Sequence, residues 1–310
     1  MTLAYLLLIL VNFCYAIPLV ISQVALEQIP IFLFIEISFI AAFVILFPLS
    51  MMKEKVKWNK LGRKNYGMLF VQGLLINVLL NIFLLFGISH TSATATGIIN
   101  SSTPAVILIL SFLILRERIN LLSTIAILMA VAGVALQSFI SLGDSPKVSL
   151  IGNFSVLLAV LSQSFFVVYS KKYAAEVPPI TTATIVMLVG VILFIPFAVM
   201  DMQNFNWGAV SASNWWIDII YGVVGNALAL IFYYIAIKRV PAKTVGIFGC
   251  LLPIITTVTA VLALGEPFTI ILIVSLCSIL LSVVIAVLAD RNKESEVTSA
   301  EPMDELQVKL

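Results

Sequence analysis

An all-α integral membrane protein of ten transmembrane helices, arranged as two inverted five-helix repeats, is the fold class that this sequence predicts. Three observations lead there. The composition is too apolar for water, the basic residues crowd alternate connectors, and the chain resembles itself at one constant offset.

Of the 310 residues, 62% are hydrophobic and only 10% charged. A water-soluble domain needs a largely polar surface, which this composition does not supply, whereas an all-apolar helix is stable in lipid. A net charge of +2 decides nothing in so apolar a chain; the positions of the charges do. Cys14, Cys250 and Cys277 fall inside apolar runs and suggest neither a disulfide framework nor metal spacing. The first apolar run extends from Leu3 past Val20 without a basic stretch before it. It is too long for a signal-peptide core and reads as the first span.

A hydrocarbon core about 30 Å thick takes roughly 20 apolar residues as helix. On that measure spans fall near 3–25, 30–50, 66–88, 92–115 and 121–140. Five more follow near 150–173, 179–200, 215–236, 242–264 and 268–289. The 51–65 connector holds Lys53, Lys55, Lys57, Lys60, Arg63 and Lys64. With the amino terminus on that side, it also receives Arg116, Arg118, Lys171, Lys172, Lys238, Arg239, Lys243, Arg291, Lys293 and Lys309. Only Lys147 of the 17 basic residues falls opposite. Such a bias predicts a multi-pass protein of the cell membrane, inner or plasma, with both termini cytoplasmic. The 290–310 tail is polar, charged and interrupted by Pro302, and is expected to be disordered.

Adding 149 to a position in the first half lands repeatedly on a like residue in the second. Ala25, Glu27 and Pro30 correspond to Ala174, Glu176 and Pro179, and Gly73, Asn77 and Phe83 to Gly222, Asn226 and Phe232. Ala93, Gly97, Pro104 and Glu117 match Ala242, Gly246, Pro253 and Glu266. Apolar coincidences mean little here, but glycine, proline, asparagine and glutamate in one gapless register are hard to dismiss. The repeats span 1–140 and 150–289, joined by an external connector at 141–149. Because each holds an odd number of spans, the second enters the membrane upside-down. Inverted repeats make inward-open and outward-open states near-equivalent packings of the same elements, as in many secondary transporters.

These residues resemble the EamA-type branch of the drug/metabolite transporter superfamily, over roughly 3–137 and 150–288. The best-matched stretch is 91–136, where TSATATGIINSSTPAVILILSFLILRERINLLSTIAILMAVAGVAL carries a run of small polar residues, Pro104 and Glu117. The second copy repeats it as AKTVGIFGCLLPIITTVTAVLALGEPF. The resemblance implies a central cavity lined mainly by helices 1, 3, 4, 6, 8 and 9, with 5 and 10 peripheral, and solute movement by alternating access. Three positions depart from the family pattern. Arg116 stands where a glycine often precedes the glutamate, although Gly265 keeps it; Glu36 is the polar residue near a common arginine; and Asn12-Phe13 lies where Trp-Gly is common.

Candidate binding residues follow from polarity inside apolar runs. Glu36 lies about six residues, roughly 9 Å, into the second span. An ionisable group there costs on the order of 3 kcal/mol, so it must face a cavity, water or a partner. Its functional reading is a cation-attracting or protonatable carboxylate; its structural reading is a hydrated or interhelical contact. Asn77 and Asn81 share a face of the third helix, and Asn226 repeats the first of them. Amides suit a zwitterionic or neutral solute and equally suit helix–helix bonds. The run Ser89–Pro104 includes Thr96, Asn100 and Ser101. There Pro104 frees a carbonyl that either meets solute or is satisfied by neighbouring hydroxyls. Tyr15, Phe166, Tyr169 and Tyr233 are candidate aromatic walls. Glu117 and Glu266 end helices against the dipole and are expected to cap neighbouring helices instead.

No lysine or arginine lies deep within a span, which disfavours phosphorylated solutes. No metal cluster, cofactor motif or nucleophile–base pair stands out, so no enzymatic reading and no nucleic-acid partner is expected. The sequence therefore predicts a carrier of a small organic solute such as an amino acid or amine. Its partners would be the lipid bilayer and protons as coupling ion, and an ion channel is the rival reading.

Overall fold

An unbonded peptide group in hydrocarbon costs several kcal/mol, so a spanning backbone must bond to itself. The computed structural model describes residues 2–56, 58, 61–117, 119–138, 149–203, 205–264 and 270–307. Among these there are helices and turns and no strand. In the first half α1 is Thr2–Leu26, α2 is Ile31–Lys53, and α3 runs Arg63–His90 with a π-helical stretch at Leu74–Leu79. Helix α4 comprises Ala93–Ser101 and Thr103–Leu110 and ends in a π turn, Ser111–Leu115; α5 is Leu121–Ser138. In the second half α6 is Leu150–Lys172, α7 is Pro179–Met202, and α8 runs Ala212–Ile237 with a π stretch at Tyr221–Leu228. Helix α9 comprises Ala242–Gly249 and Leu251–Leu264, and α10 is Ile270–Gln307.

Among the described residues nine of these helices are long and apolar enough to cross a membrane, and α5, apolar over Leu121–Leu136, is shorter. The backbone of α10 continues as helix to Gln307, through most of the segment whose composition predicts disorder. Glu266 and all of the 141–149 connector except Ser149 lie outside the described residues.

The irregularities recur in the register of the repeat. The first π stretch begins just after Gly73, and the second begins one residue before its match Gly222. Helices α4 and α9 break at Ser102 (φ −74°, ψ −11°) and Cys250 (φ −69°, ψ −11°), just ahead of Pro104 and Pro253. Pro104 has no N–H for the carbonyl of Asn100, and the Thr103 hydroxyl donates to that carbonyl at 2.7 Å instead.

Packing crosses between the halves. Helix α1 lies against α8 and α9, and its counterpart α6 lies against α3 and α4. The matched pairs α2–α7 and α5–α10 pack on each other. Helices α2 and α7 are antiparallel, and the end of each caps the start of the other. Both start after a proline and have no side-chain cap of their own. Asp201 accepts from the Phe32 and Leu33 N–H groups at 2.9 and 3.2 Å. Glu54 accepts from the Ile180 and Thr181 N–H groups at 2.9 and 2.7 Å. Each carboxylate also meets the positive end of a helix dipole. The two helices that the repeat equates therefore run in opposite directions.

The basic connectors gather at one end. There Lys171 donates to the carbonyls of Ile237 and Lys238, Lys238 donates to that of Val177, and Lys64 pairs with Glu176 at 3.8 Å. Burial lowers the proton affinity of the Lys238 amine, against the opposing pull of Glu54. Glu117 accepts from the N–H groups of Ala242 and Lys243 at the start of α9, the capping role its position suggests. At the other end Gln28 accepts from the Ser211 N–H.

Candidate functional site

Most polar side chains inside the bundle are spent on its own backbone. Asn77 is 3% exposed and donates to the Val186 carbonyl of α7 at 2.7 Å. Its repeat partner Asn226 donates to the Ser38 hydroxyl of α2 at 3.1 Å. The two contacts are related by the repeat and tie α3 to α7 and α8 to α2. Asn81, half-buried, donates back to the Asn77 carbonyl at 2.9 Å, inside the π stretch where that carbonyl is loosened. Thr96 donates to Ser92 O and Ser101 to Ile98 O, so both hydroxyl protons serve the helix. Asn100 lies half-buried beside the break.

The aromatic candidates divide. Phe166 of α6 stacks on Tyr233 of α8, centroids 5.3 Å apart, and meets the edge of Tyr234 at 6.4 Å. Tyr15 of α1, half-buried, is within electrostatic reach of Tyr233 and Tyr221. Tyr169 instead pairs with Tyr173 at 4.7 Å, nearer the basic end. The structure thus brings Phe166 and Tyr233 together from α6 and α8, places Tyr15 on α1, which packs against α8, and leaves Tyr169 aside. Beside them Gln72 of α3 accepts from Tyr234 OH at 2.8 Å and Ser170 Oγ at 3.0 Å, a three-helix junction that its sequence position does not announce.

Against that background of satisfied groups a few stand out. Glu36 is 3% exposed and its Oε2 has no hydrogen-bond partner among the described residues. One turn to either side, Phe32 and Phe39 pack on Phe194 of α7. The Tyr233 hydroxyl is buried near Ser170 with no hydrogen bond of good geometry among the described residues. Asp218 of α8 is 0% exposed, and neither carboxylate oxygen has a hydrogen-bond partner among the described residues. It was not among the residues singled out from sequence, although an acid within an apolar run was the signal to follow.

Two further residues depart from expectation. Asp290, read as the start of a solvated tail, is 4% exposed and accepts from Thr244 Oγ1 at 2.7 Å and Tyr5 OH at 3.3 Å. Lys243, read as a connector residue, is also 4% exposed and donates to Ser123 Oγ at 2.8 Å. Both help close the basic end of α1, α5, α9 and α10.

The repeat sorts these groups. Asn77, Gly73 and Pro104 have like counterparts, and each forms scaffold contacts or breaks a helix in both halves. Glu36, Tyr15, Phe166, Tyr233 and Asp218 face Ile185, Ser164, Ile17, Leu84 and Leu69 across the register. These groups break the symmetry that the scaffold keeps.

A helical multi-pass bundle of two inverted repeats, with unmatched polar groups among its crossing helices, defines a membrane transporter. The model of the EamA-like transporter family matches residues 2–139 and again 150–288, and the chain belongs to that family. It is 30% identical over 278 residues to the uncharacterized transporter YetK of Bacillus subtilis, across 89% of this chain and 84% of that one. It is 25% identical over 252 residues to an uncharacterized transporter of Clostridium kluyveri, across 80% and 81%. A crystal structure with 17% sequence identity superposes with a TM-score of 0.76 over 94% of this chain and 98% of the other, a likeness of fold.

Proposed function

We propose that this chain is a secondary active carrier that moves a small, non-phosphorylated organic solute, an amino acid or amine, across the cell membrane by alternating access. On this reading all ten helices span, α5 included, with both termini cytoplasmic, and the solute undergoes no chemistry. Glu36 is the observation that carries it. A carboxylate in the membrane with one oxygen unpartnered needs a positive charge, and no lysine or arginine occurs between residues 2 and 52 or between 173 and 237. A solute ammonium group or a coupling proton supplies it in alternation. The stacked rings of Phe166 and Tyr233 offer an aromatic face suited to an ammonium or an apolar side chain, and Tyr15 of the neighbouring α1 extends it. The half-buried amides Asn81 and Asn100 can donate to and accept from the polar remainder of the solute.

A thermal-shift screen of metabolites on the purified chain identifies the solute, because a ligand that binds the native form raises its melting point. In proteoliposomes, Glu36→Gln should abolish accumulation driven by a pH gradient while leaving counterflow measurable. Undiminished proton-driven uptake by that variant ends the role of Glu36.

A further inference from the structure

A proline inside a helix removes one hydrogen bond and leaves a carbonyl to be satisfied elsewhere. The two helix breaks meet that need differently. In α4 the Thr103 hydroxyl donates to the Asn100 carbonyl, to which Pro104 has no N–H to give. In α9 the corresponding carbonyl is that of Gly249, because Pro253 has none to give either. Position 252, the match of Thr103, holds leucine, so no hydroxyl stands in there. The hydroxyls that follow serve carbonyls further along: Thr256, Thr257 and Thr259 donate to those of Leu252, Pro253 and Ile255. The Cys250 thiol turns back to the Gly246 carbonyl at 3.7 Å.

Neighbouring contacts fix the direction in which Gly249 faces. Successive helical residues turn by about 100°. A Cβ on Gly246 would meet Ile107 of α4 at 3.0 Å. Ile247 packs with Ala126 and Ile127 of α5 and Ala286 of α10, and Phe248 stacks on Tyr5 of α1 at 5.7 Å. Gly249 therefore turns nearly opposite to Ile247, away from α5 and α10 and into the interval between α1 and α4. It is exposed there, and a Cβ would find nothing within 4 Å, although Ala242–Phe248 just before it are buried. The matched start of α4 packs on α3, α5 and α6 and keeps Ala95, Gly97 and Asn100 half-buried. Open space thus begins at Gly249, beyond the sealed start of α9.

We propose that the Gly249 carbonyl is a solute-binding group that accepts a hydrogen bond from an ammonium N–H of the solute. The proposal rests on the carrier reading above and names a further contact of its site. A backbone carbonyl only accepts, and one left unmet within the membrane is costly, so water or solute must donate to it. A charged donor makes the stronger bond, which favours an ammonium over a hydroxyl. Glycine at this position leaves the oxygen unscreened by a side chain.

Two measurements in proteoliposomes test it, and the first needs no transport. With Cys14, Cys250 and Cys277 replaced by serine, Gly249→Cys places a thiol in open space. It should react with a charged methanethiosulfonate applied on both sides, which modifies thiols that meet water and spares those that face lipid. An equimolar mixture of the common amino acids, n-butylamine and putrescine should slow that reaction. The second measurement compares Leu252→Thr with Leu252→Val, which have the same shape and differ by one hydroxyl. The threonine hydroxyl donates to the Gly249 carbonyl, as Thr103 does to that of Asn100, and competes with the solute. For each component of the mixture that the wild type takes up, half-saturation should be about tenfold higher in Leu252→Thr, the weight of one hydrogen bond to a charged group. Equal half-saturation in the two variants overturns the proposal, even where Gly249→Cys fails to fold. So does a thiol that stays unmodified, that sodium ions alone protect, or that a transported mixture leaves unprotected. A wild type that takes up nothing while the mixture still protects the thiol fails the carrier reading and keeps the site; absence of both uptake and protection defeats both.

Discussion

Replacing Gly222 by alanine tests a close contact between α8 and α2. A Cβ there would meet the Ser38 carbonyl oxygen of α2 at 2.4 Å, the Ala41 Cβ at 2.9 Å and the Ser38 Cα at 3.0 Å. Favourable contacts between heavy atoms begin near 3.5 Å, so α2 and α8 must separate by about 1 Å. The obstacle is backbone, with no rotamer to relieve it, and α2 is held at both ends by its mutual caps with α7. Overpacking of this kind costs about 1–3 kcal/mol, and the rigid neighbour argues for the upper part of that range. Alanine in a helix interior also gains about 1 kcal/mol over glycine. Gly67→Ala, with nothing within 4 Å, receives only the gain. The difference between the two variants therefore isolates the clash. At roughly 2–4 °C per kcal/mol, Gly222→Ala should melt several degrees below Gly67→Ala in detergent, followed by loss of the monodisperse peak on size exclusion. The repeat predicts the same sign for Gly73→Ala, whose Cβ would meet Val189 Cβ at 2.6 Å and Val186 O at 2.9 Å. A Gly222→Ala chain that melts with or above Gly67→Ala would refute the contact and the register behind it.

Two further outcomes bear on the scaffold. Glu54→Ala and Asp201→Ala each remove a cap shared between α2 and α7 and should cost about 1–2 kcal/mol. Because they act at opposite ends, their effects should add to within about 0.5 kcal/mol in the double variant, and a double variant no weaker than either single one would contradict the reciprocal capping. Arg116→Gly should raise the melting point, because Arg116 adopts φ 55° and ψ 33°, a conformation that costs an L-residue about 1–2 kcal/mol. Unchanged or lower stability would place the strain elsewhere.

Arg116 also shows what a departure from a family pattern can mean. The glycine common at that position suits a left-handed residue after the fourth helix, and the structure finds that backbone conformation retained with a side chain present. The sequence identified the position but not its conformation. Its matched asparagines were legible as a pair, yet an amide serves a neighbouring helix or a solute with the same atoms. Only the Val186 carbonyl and the Ser38 hydroxyl beside them reveal the interhelical role. Asp218, Asp290 and Lys243 were passed over because local pattern assigns a residue to a span or a connector. How deeply it is buried there depends on helices distant in sequence.

By itself the sequence determined that this chain is helical and solvated by lipid. It also determined the repeat and the matched prolines, Pro104 and Pro253, near which helices lose their regularity. These are properties of composition and of bonds made within a few residues. Tertiary structure alone decided which polar groups are spent on neighbouring helices and which, like Glu36 and Asp218, keep oxygens without a partner. That distinction depends on side chains brought together from both repeats, and hydrogen bonding across such distances leaves no trace in local periodicity.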